Sequence, residues 1–177
     1  MKPRRMKASA TESRASHGAD MTERDIEGKA RAHWASWHET YTGLVDQAFL
    51  DALTYEKCLD IARRYPEGLV AELDGQIIGF ALCGPCRDDD LAGSGEVYAI
   101  YVLKSYHRKG IGYALMNACL DKLKDNKQIA VWVLSGNQTA IEFYQRYGFV
   151  FDGRQKEITL GKPVMESRMI FKYKDQA

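Results

Sequence analysis

The stretch GEVYAIYVLKSYHRKGIGYA, from Gly95 to Ala114, decides how this chain is read. Val97, Ala99 and Tyr101 alternate with Tyr98, Ile100 and Val102, and both sets are largely apolar. That pattern predicts a strand over Glu96–Leu103, covered on both faces. A polar, basic turn follows from Lys104 to Lys109, and Gly110 and Gly112 then lead into a helical pattern. Strand, glycine-rich turn and helix together can hold a phosphate group. Glycine lets the main chain approach the anion, the turn gathers N–H groups, and the helix start adds its positive dipole end. Arg108 and Lys109 add full charges. Read alone, the same residues also describe an ordinary strand-to-helix turn.

Spacing excludes two well-known phosphate loops. The chain has no glycine followed, after four residues, by Gly-Lys-Ser or Gly-Lys-Thr. The dinucleotide-binding fingerprint needs a third glycine, where Leu115 stands.

Toward the N-terminus, Asp74-Gly75 separates two apolar runs, Gly68–Leu73 and Gln76–Cys83, and signals a hairpin. Gly84-Pro85 ends the second run, and Arg87 to Ser94 is a polar, acidic loop. Further back, Ile26, Ala30, His33, Trp34, Trp37 and Tyr41 recur at three- and four-residue spacing. They form one face of an amphipathic helix that starts near Thr22, with Asp25 three residues on. A second helix is expected over Asp46–Tyr65, broken near Thr54 and closed by Pro66. Residues 1–20 offer little to bury and read as a mobile N-terminal tail, leaving one domain over 21–177.

Toward the C-terminus, a helix runs from Gly110 to about Lys124, and Ile129–Leu134 is a short buried strand. Asn137 begins another helix, amphipathic through Ala140, Phe143, Tyr144 and Tyr147, which stops at Gly148. Phe149–Ile158 and Val164–Tyr173 form a last pair of strands. The order is helices, a meander of three strands, helix, strand, helix, two strands: a mixed α/β chain.

Composition agrees with one globular domain. The chain has 177 residues, of which 45% are hydrophobic and 28% charged, enough for both a core and a solvated surface. A net charge of +1 gives no overall drive toward nucleic acid or membrane, and neither partner is expected. No run approaches the roughly 20 apolar residues of a membrane span. The basic N-terminus lacks the apolar centre of a signal peptide. Cys58, Cys83, Cys86 and Cys119 are too scattered for a disulfide framework and suit a reducing, cytoplasmic setting. Cys83-Gly-Pro-Cys86 has no second ligand pair, so no metal is expected.

Two motifs carry a resemblance. His107-Arg108-Lys109-Gly110-Ile111-Gly112 is followed, at the right distance, by Asn137-x-x-Ala140-x-x-Phe143-Tyr144-x-x-x-Gly148-Phe149. Together they resemble the signature of the GNAT superfamily of acetyl-CoA-dependent N-acetyltransferases, with His107 where Gln or Arg is usual. The resemblance covers the chain from about Asp25 to the end. It is marked toward uncharacterised bacterial members, which carry the equivalents of His33, Trp37, Thr40, Tyr41, Gly79-Phe80-Ala81 and Gly84-Pro85-x-Arg87-Asp88. It implies the GNAT fold: a mixed, mostly antiparallel sheet splayed between strands 4 and 5, flanked by about four helices. It also implies a first strand near Ser16–Met21, although that stretch is unusually polar.

The resemblance implies acetyl-CoA as co-substrate, lying in the splay. Ile100, Tyr101 and Val102 would pair with its pantetheine arm, and a main-chain N–H near Val102 would meet the acetyl oxygen. Arg108, Lys109, Gly110, Ile111, Gly112 and Tyr113 would hold the pyrophosphate, with His107 beside them or simply at the surface. Asn137 can cap its helix and offer an amide. Glu96 stands where many members carry a carboxylate base, and also reads as a strand-end carboxylate in solvent. Tyr144 matches the general acid to the leaving thiolate, and also reads as a core tyrosine. Trp34, Trp37 and Tyr41 line an acceptor pocket or pack the core. Asp88-Asp89-Asp90 attracts a cation or is a solvated loop. The expected activity is acetyl transfer to the primary amine of a small molecule. A protein N-terminal or lysine acetyltransferase and a non-catalytic acyl-CoA-binding module are the alternatives, and a homodimer is left open.

Overall fold

A computed structural model describes residues 15–173. In chain order the elements are β1 (Ala15–Asp20), α1 (Ile26–Tyr41), α2 (Gln47–Asp51), α3 (Tyr55–Arg64), β2 (Leu69–Leu73), β3 (Gln76–Pro85) and β4 (Gly95–Val102). Then follow α4 (Ile111–Lys122), β5 (Gln128–Leu134), α5 (Gln138–Tyr147), β6 (Val150–Leu160) and β7 (Lys162–Lys172). The strands form one seven-stranded sheet in the order β1-β2-β3-β4-β5-β7-β6. Only β4 and β5 pair in parallel.

Local sequence accounts for most boundaries. The Asp25 carboxylate accepts from both the Thr22 main-chain N–H and the Thr22 hydroxyl, fixing the entry to α1. The expected second helix is two helices, because Asp46 caps α2 and Thr54 caps α3. Asp74 and Gly75 both take positive φ, 50° and 82°, as the tight hairpin between β2 and β3 requires.

The polar stretch before α1 is strand β1, pairing antiparallel with β2 at the sheet edge. Residues 15–20 of the expected tail are thus a strand, and residues 1–14 lie outside the described residues. Main-chain pairing holds β1, and most of its side chains stay exposed, so it needs no apolar alternation.

Two covered faces explain the apolar runs. On one face Leu69, Ile78, Val97, Val131 and Met169 pack against Leu115, Met116 and Cys119 of α4 and Ile141 and Tyr144 of α5. On the other, Ala32 of α1 packs on Val70, Ile77 and Phe80, while Leu50 of α2 packs with Val45 and Leu134. β4 contributes Val97, Ile100 and Val102 to the first face and Ala99 and Tyr101 to the second.

The sheet opens between its two parallel strands. β4 and β5 are paired only from Gly95↔Ile129 to Val97↔Val131. Beyond that point β4 continues on β3 as far as Val102, and β5 continues on β7 as far as Leu134. The β3–β4 register shifts between Leu82 and Cys83, which leaves Tyr98 as a bulge. A bulge bends its strand, and this one falls where pairing with β5 stops. Among the described residues, no helix is long and apolar enough to cross a membrane.

Candidate active site

The glycine turn lies beside the open end of the splay. Arg108 and Gly110 both take left-handed backbone, at φ 60° and 80°. Gly110 caps α4, and a Cβ placed on it would meet nothing within 4 Å, so the turn faces open space. The N–H groups of Ile111, Gly112 and Tyr113 lead the helix, where no preceding turn exists to accept them. Gly112 sits over the Phe143 ring, 3.3 Å from where its Cβ would be. The Lys109 ammonium lies 5.0 Å from the centre of the Tyr106 ring. Tyr113 is exposed, its ring against Phe143 and Tyr147.

β4 presents a free edge next to this turn. The Leu103 N–H donates to the Ile78 carbonyl at 2.9 Å, so alternation turns the N–H groups of Ile100 and Val102 away from β3. No strand among the described residues pairs with them on that side. His107 is exposed, and its Nε2 donates to the Val102 carbonyl at 2.8 Å, tying the turn to the strand end. The Asn137 side-chain oxygen accepts from the Ala140 N–H at 3.2 Å and caps α5. Its amide nitrogen makes no hydrogen bond among the described residues.

An aromatic wall covers the α1 side. His33, Trp37 and Tyr41 of α1 pack edge-on and face-on with Phe80 and Tyr101. The Tyr41 and Tyr101 hydroxyls are 2.9 Å apart. Trp37 Nε1 is buried without a hydrogen-bond partner. Burial lowers His33 to about 4, with Lys29 pushing the same way, so the ring is neutral at pH 7. Trp34 is not part of this wall; it is 40% exposed and packs on His38, one helical turn along the outer face.

Tyr144 reaches the same region from α5. Its ring is buried, yet its hydroxyl takes no hydrogen bond among the described residues. Buried tyrosines usually find such a partner. Burial raises its phenol above the ordinary value, and Tyr41 and Cys119 raise it further. The hydroxyl therefore keeps its proton through neutral pH.

Glu96 is neither free nor in solvent. It is 1% exposed. One carboxylate oxygen accepts from the Arg87 main-chain N–H at 3.0 Å and from Arg87 Nε at 3.2 Å, and the other accepts from Arg87 Nη2 at 2.5 Å. Arg87 also stands 4.5 Å over the Tyr98 ring, the residue of the bulge. In the neighbouring acidic run, Asp89 and Asp90 are exposed, but two of the three carboxylates are paired. Arg168 of β7, 4% exposed, binds Asp88, Asp90 and Asp152 within 3.0 Å, and Trp132 Nε1 donates to Asp88 at 2.9 Å. Arg87, Asp88, Asp90, Trp132 and Arg168 line an open hollow of about 480 Å³.

The turn, the β4 edge, Asn137, Tyr144, Trp37 and Tyr41 were all legible in the sequence. Three things were missed: the hydroxyl of Tyr101, the neutral His33, and Arg87. Arg87 was visible as part of Gly84-Pro85-x-Arg87-Asp88, but nothing in that motif points to Glu96.

The sequence model of the Acetyltransferase (GNAT) family matches residues 31–149. The chain is 34% identical over 153 residues to the uncharacterized N-acetyltransferase YuaI of Bacillus subtilis, covering 78% of this chain and 88% of that one. It is 34% identical over 107 residues to a probable spermine N(1)-acetyltransferase of Bacillus subtilis subsp. natto, covering 54% and 68%. Among solved structures, the paiA N-acetyltransferase of Thermoplasma acidophilum, in complex with coenzyme A, superposes with a TM-score of 0.67 at 20% identity. That match covers 92% of this chain and 100% of the other. The chain belongs to the GNAT acetyltransferase family, and it is an acyltransferase.

Proposed function

We propose that this enzyme transfers the acetyl group of acetyl-CoA to the primary amine of a small molecule. The observation that carries the reading is the β4 edge left unpaired beyond Val97, with the Gly110–Gly112 turn at one end and the unbonded Tyr144 hydroxyl beside it. The residues present fit the co-substrate. The turn opens onto empty space, Ile111 to Tyr113 offer N–H groups, and the Asn137 amide has donors to spare. When bound, acetyl-CoA supplies the thioester carbonyl that the amine attacks.

The chain's own residues do the rest. Ile100 and Val102 would hold the pantetheine arm through their unpaired main-chain groups, and the Val102 N–H would be the donor to the acetyl oxygen. Arg108 and Lys109 oppose the phosphate charge. Trp37, Tyr41 and Tyr101 exclude water from the acceptor side. Glu96 supplies the carboxylate that receives the proton of the incoming ammonium, through water. Proton removal matters because an alkylamine has a pKa near ~10 and attacks only when neutral. Tyr144 brings a proton to the departing sulfur.

The test is a panel of acceptors read by release of free CoA, with the products identified by mass. Spermine, amino sugars, amino acids and peptides with free N-termini or lysines make up the panel. Spermine is included because a relative bears that name. The reading expects a small alkylamine to react. Reaction of peptides alone would favour a protein acceptor. Acetyl-CoA binding with no turnover of any amine would favour a non-catalytic acyl-CoA-binding module.

A further inference from the structure

We propose that Arg87 is a built-in substitute for the acceptor's positive charge, and that an ammonium group of the acceptor displaces it from Glu96. This rests on the reading of the enzyme as an amine acetyltransferase.

A carboxylate as deeply buried as Glu96 needs a cation beside it. Arg87 provides one, but the two partners are held very differently: the Arg87 side chain is 65% exposed, against 1% for Glu96. Arg87 therefore covers Glu96 from the solvent side. Its guanidinium lies between the Glu96 carboxylate and the face of Tyr98, 4.5 Å from the ring. A carboxylate beside an aromatic face is also a binding site for an alkylammonium ion.

Another arginine of the same hollow, Arg168, shows what a fixed one looks like. Arg168 is 4% exposed and tied to three aspartates. Arg87 has one acidic side-chain partner and a head at the surface. Its main-chain bond to Glu96, at 3.0 Å, does not depend on the guanidinium and can persist when the side chain leaves. Asp88 and Asp90 are already committed to Arg168. Asp90 also meets the exposed Arg154 but keeps Arg168 if that side chain leaves, so of these three carboxylates Glu96 depends on an exchangeable cation alone.

The exchange selects for acceptor charge. An alkylammonium can replace the guanidinium and leave Glu96 paired, whereas a neutral arylamine cannot and leaves the Arg87–Glu96 pair in place.

Two measurements test this, with spermine as the charged acceptor and aniline as the neutral one. Arg87→Met should lower KM for spermine by about tenfold, which corresponds to about 1.4 kcal/mol. KM for aniline should not move, and Arg87→Lys should return KM for spermine toward the wild-type value. An unchanged or raised KM for spermine in Arg87→Met overturns the proposal. Should Arg87→Met fail to fold, wild-type protein with nitrogen-15 arginine gives the same answer. Spermine should shift the Arg87 Nε–H signal and speed its exchange with water, and leave that of Arg168 in place. An unmoved Arg87 signal with spermine well above its KM overturns the proposal, as does spermine that is neither bound nor acetylated. CoA release with an unmoved Arg87 signal removes the displacement alone. No CoA release with any amine removes the functional reading together with it.

Discussion

The Tyr41 and Tyr101 hydroxyls form a 2.9 Å hydrogen bond across the gap between α1 and β4, at the side of the splay where an acceptor would enter. Burial raises both phenols above their ordinary value. Each is thus a neutral hydroxyl whose main partner is the other. Removing one leaves the second buried and under-bonded, at a cost of about 1–3 kcal/mol. Removing both costs little more. We expect Tyr41→Phe, Tyr101→Phe and the double variant to lose similar stability in urea titrations. Additive losses would show that the two hydroxyls are held by different partners.

Tyr144→Phe deletes only the hydroxyl and keeps the ring that packs against Phe143 and Phe149. Stability and acetyl-CoA affinity should hold. If the hydroxyl protonates the sulfur, kcat should fall on the order of 10²–10⁴-fold. Rapid-quench measurement of product formation separates this from slow product release. Equal rates for the two proteins would return Tyr144 to a packing role.

His33 sets a pH window for stability. Its folded-state value is about 4, against an unfolded value near 6.5, because burial disfavours the charged ring. The unfolded chain therefore takes up a proton first. The stabilising contribution is complete above pH 6.5 and is lost as the pH falls from there toward 4. The difference corresponds to about 3 kcal/mol at most. Thermal melts should show Tm falling over that range, and His33→Phe should lose much of the dependence. An equal fall in both proteins would place the acid sensitivity elsewhere.

What the sequence made legible was local chemistry. Asp74-Gly75 demanded its hairpin, Thr22 and Asp25 found each other three residues apart, and Thr54 marked the break between α2 and α3. Gly110 and Gly112 pointed to a cradle because glycine lets the main chain approach an anion, and Gly110 takes the left-handed backbone that few other residues tolerate. The features that escaped are those whose partners are fixed by topology. β1 is held by main-chain bonds, which leave no pattern in the side chains. The Tyr98 bulge is a register shift between two strands and has no residue signature. Arg87 reaches Glu96 across a loop, and Arg168 reaches Asp88 from β7, a meeting only the completed sheet arranges. The Asp88–Asp90 run therefore looked like a free acidic patch, although two of its carboxylates are held by Arg168.

The account depends most on acetyl-CoA lying in the splay with its phosphates on the Gly110–Gly112 turn. Titration calorimetry of acetyl-CoA into wild-type protein and Gly112→Glu tests that directly. The substitution brings a carboxylate to the start of α4, where the phosphates would lie, and its Cβ meets only the edge of the Phe143 ring at 3.3 Å. The fold should survive, as circular dichroism can verify. The account predicts clear binding to the wild-type protein and a loss of affinity of about a hundredfold or more in the variant, equivalent to about 2.7 kcal/mol. Unchanged affinity in a folded Gly112→Glu protein would contradict it.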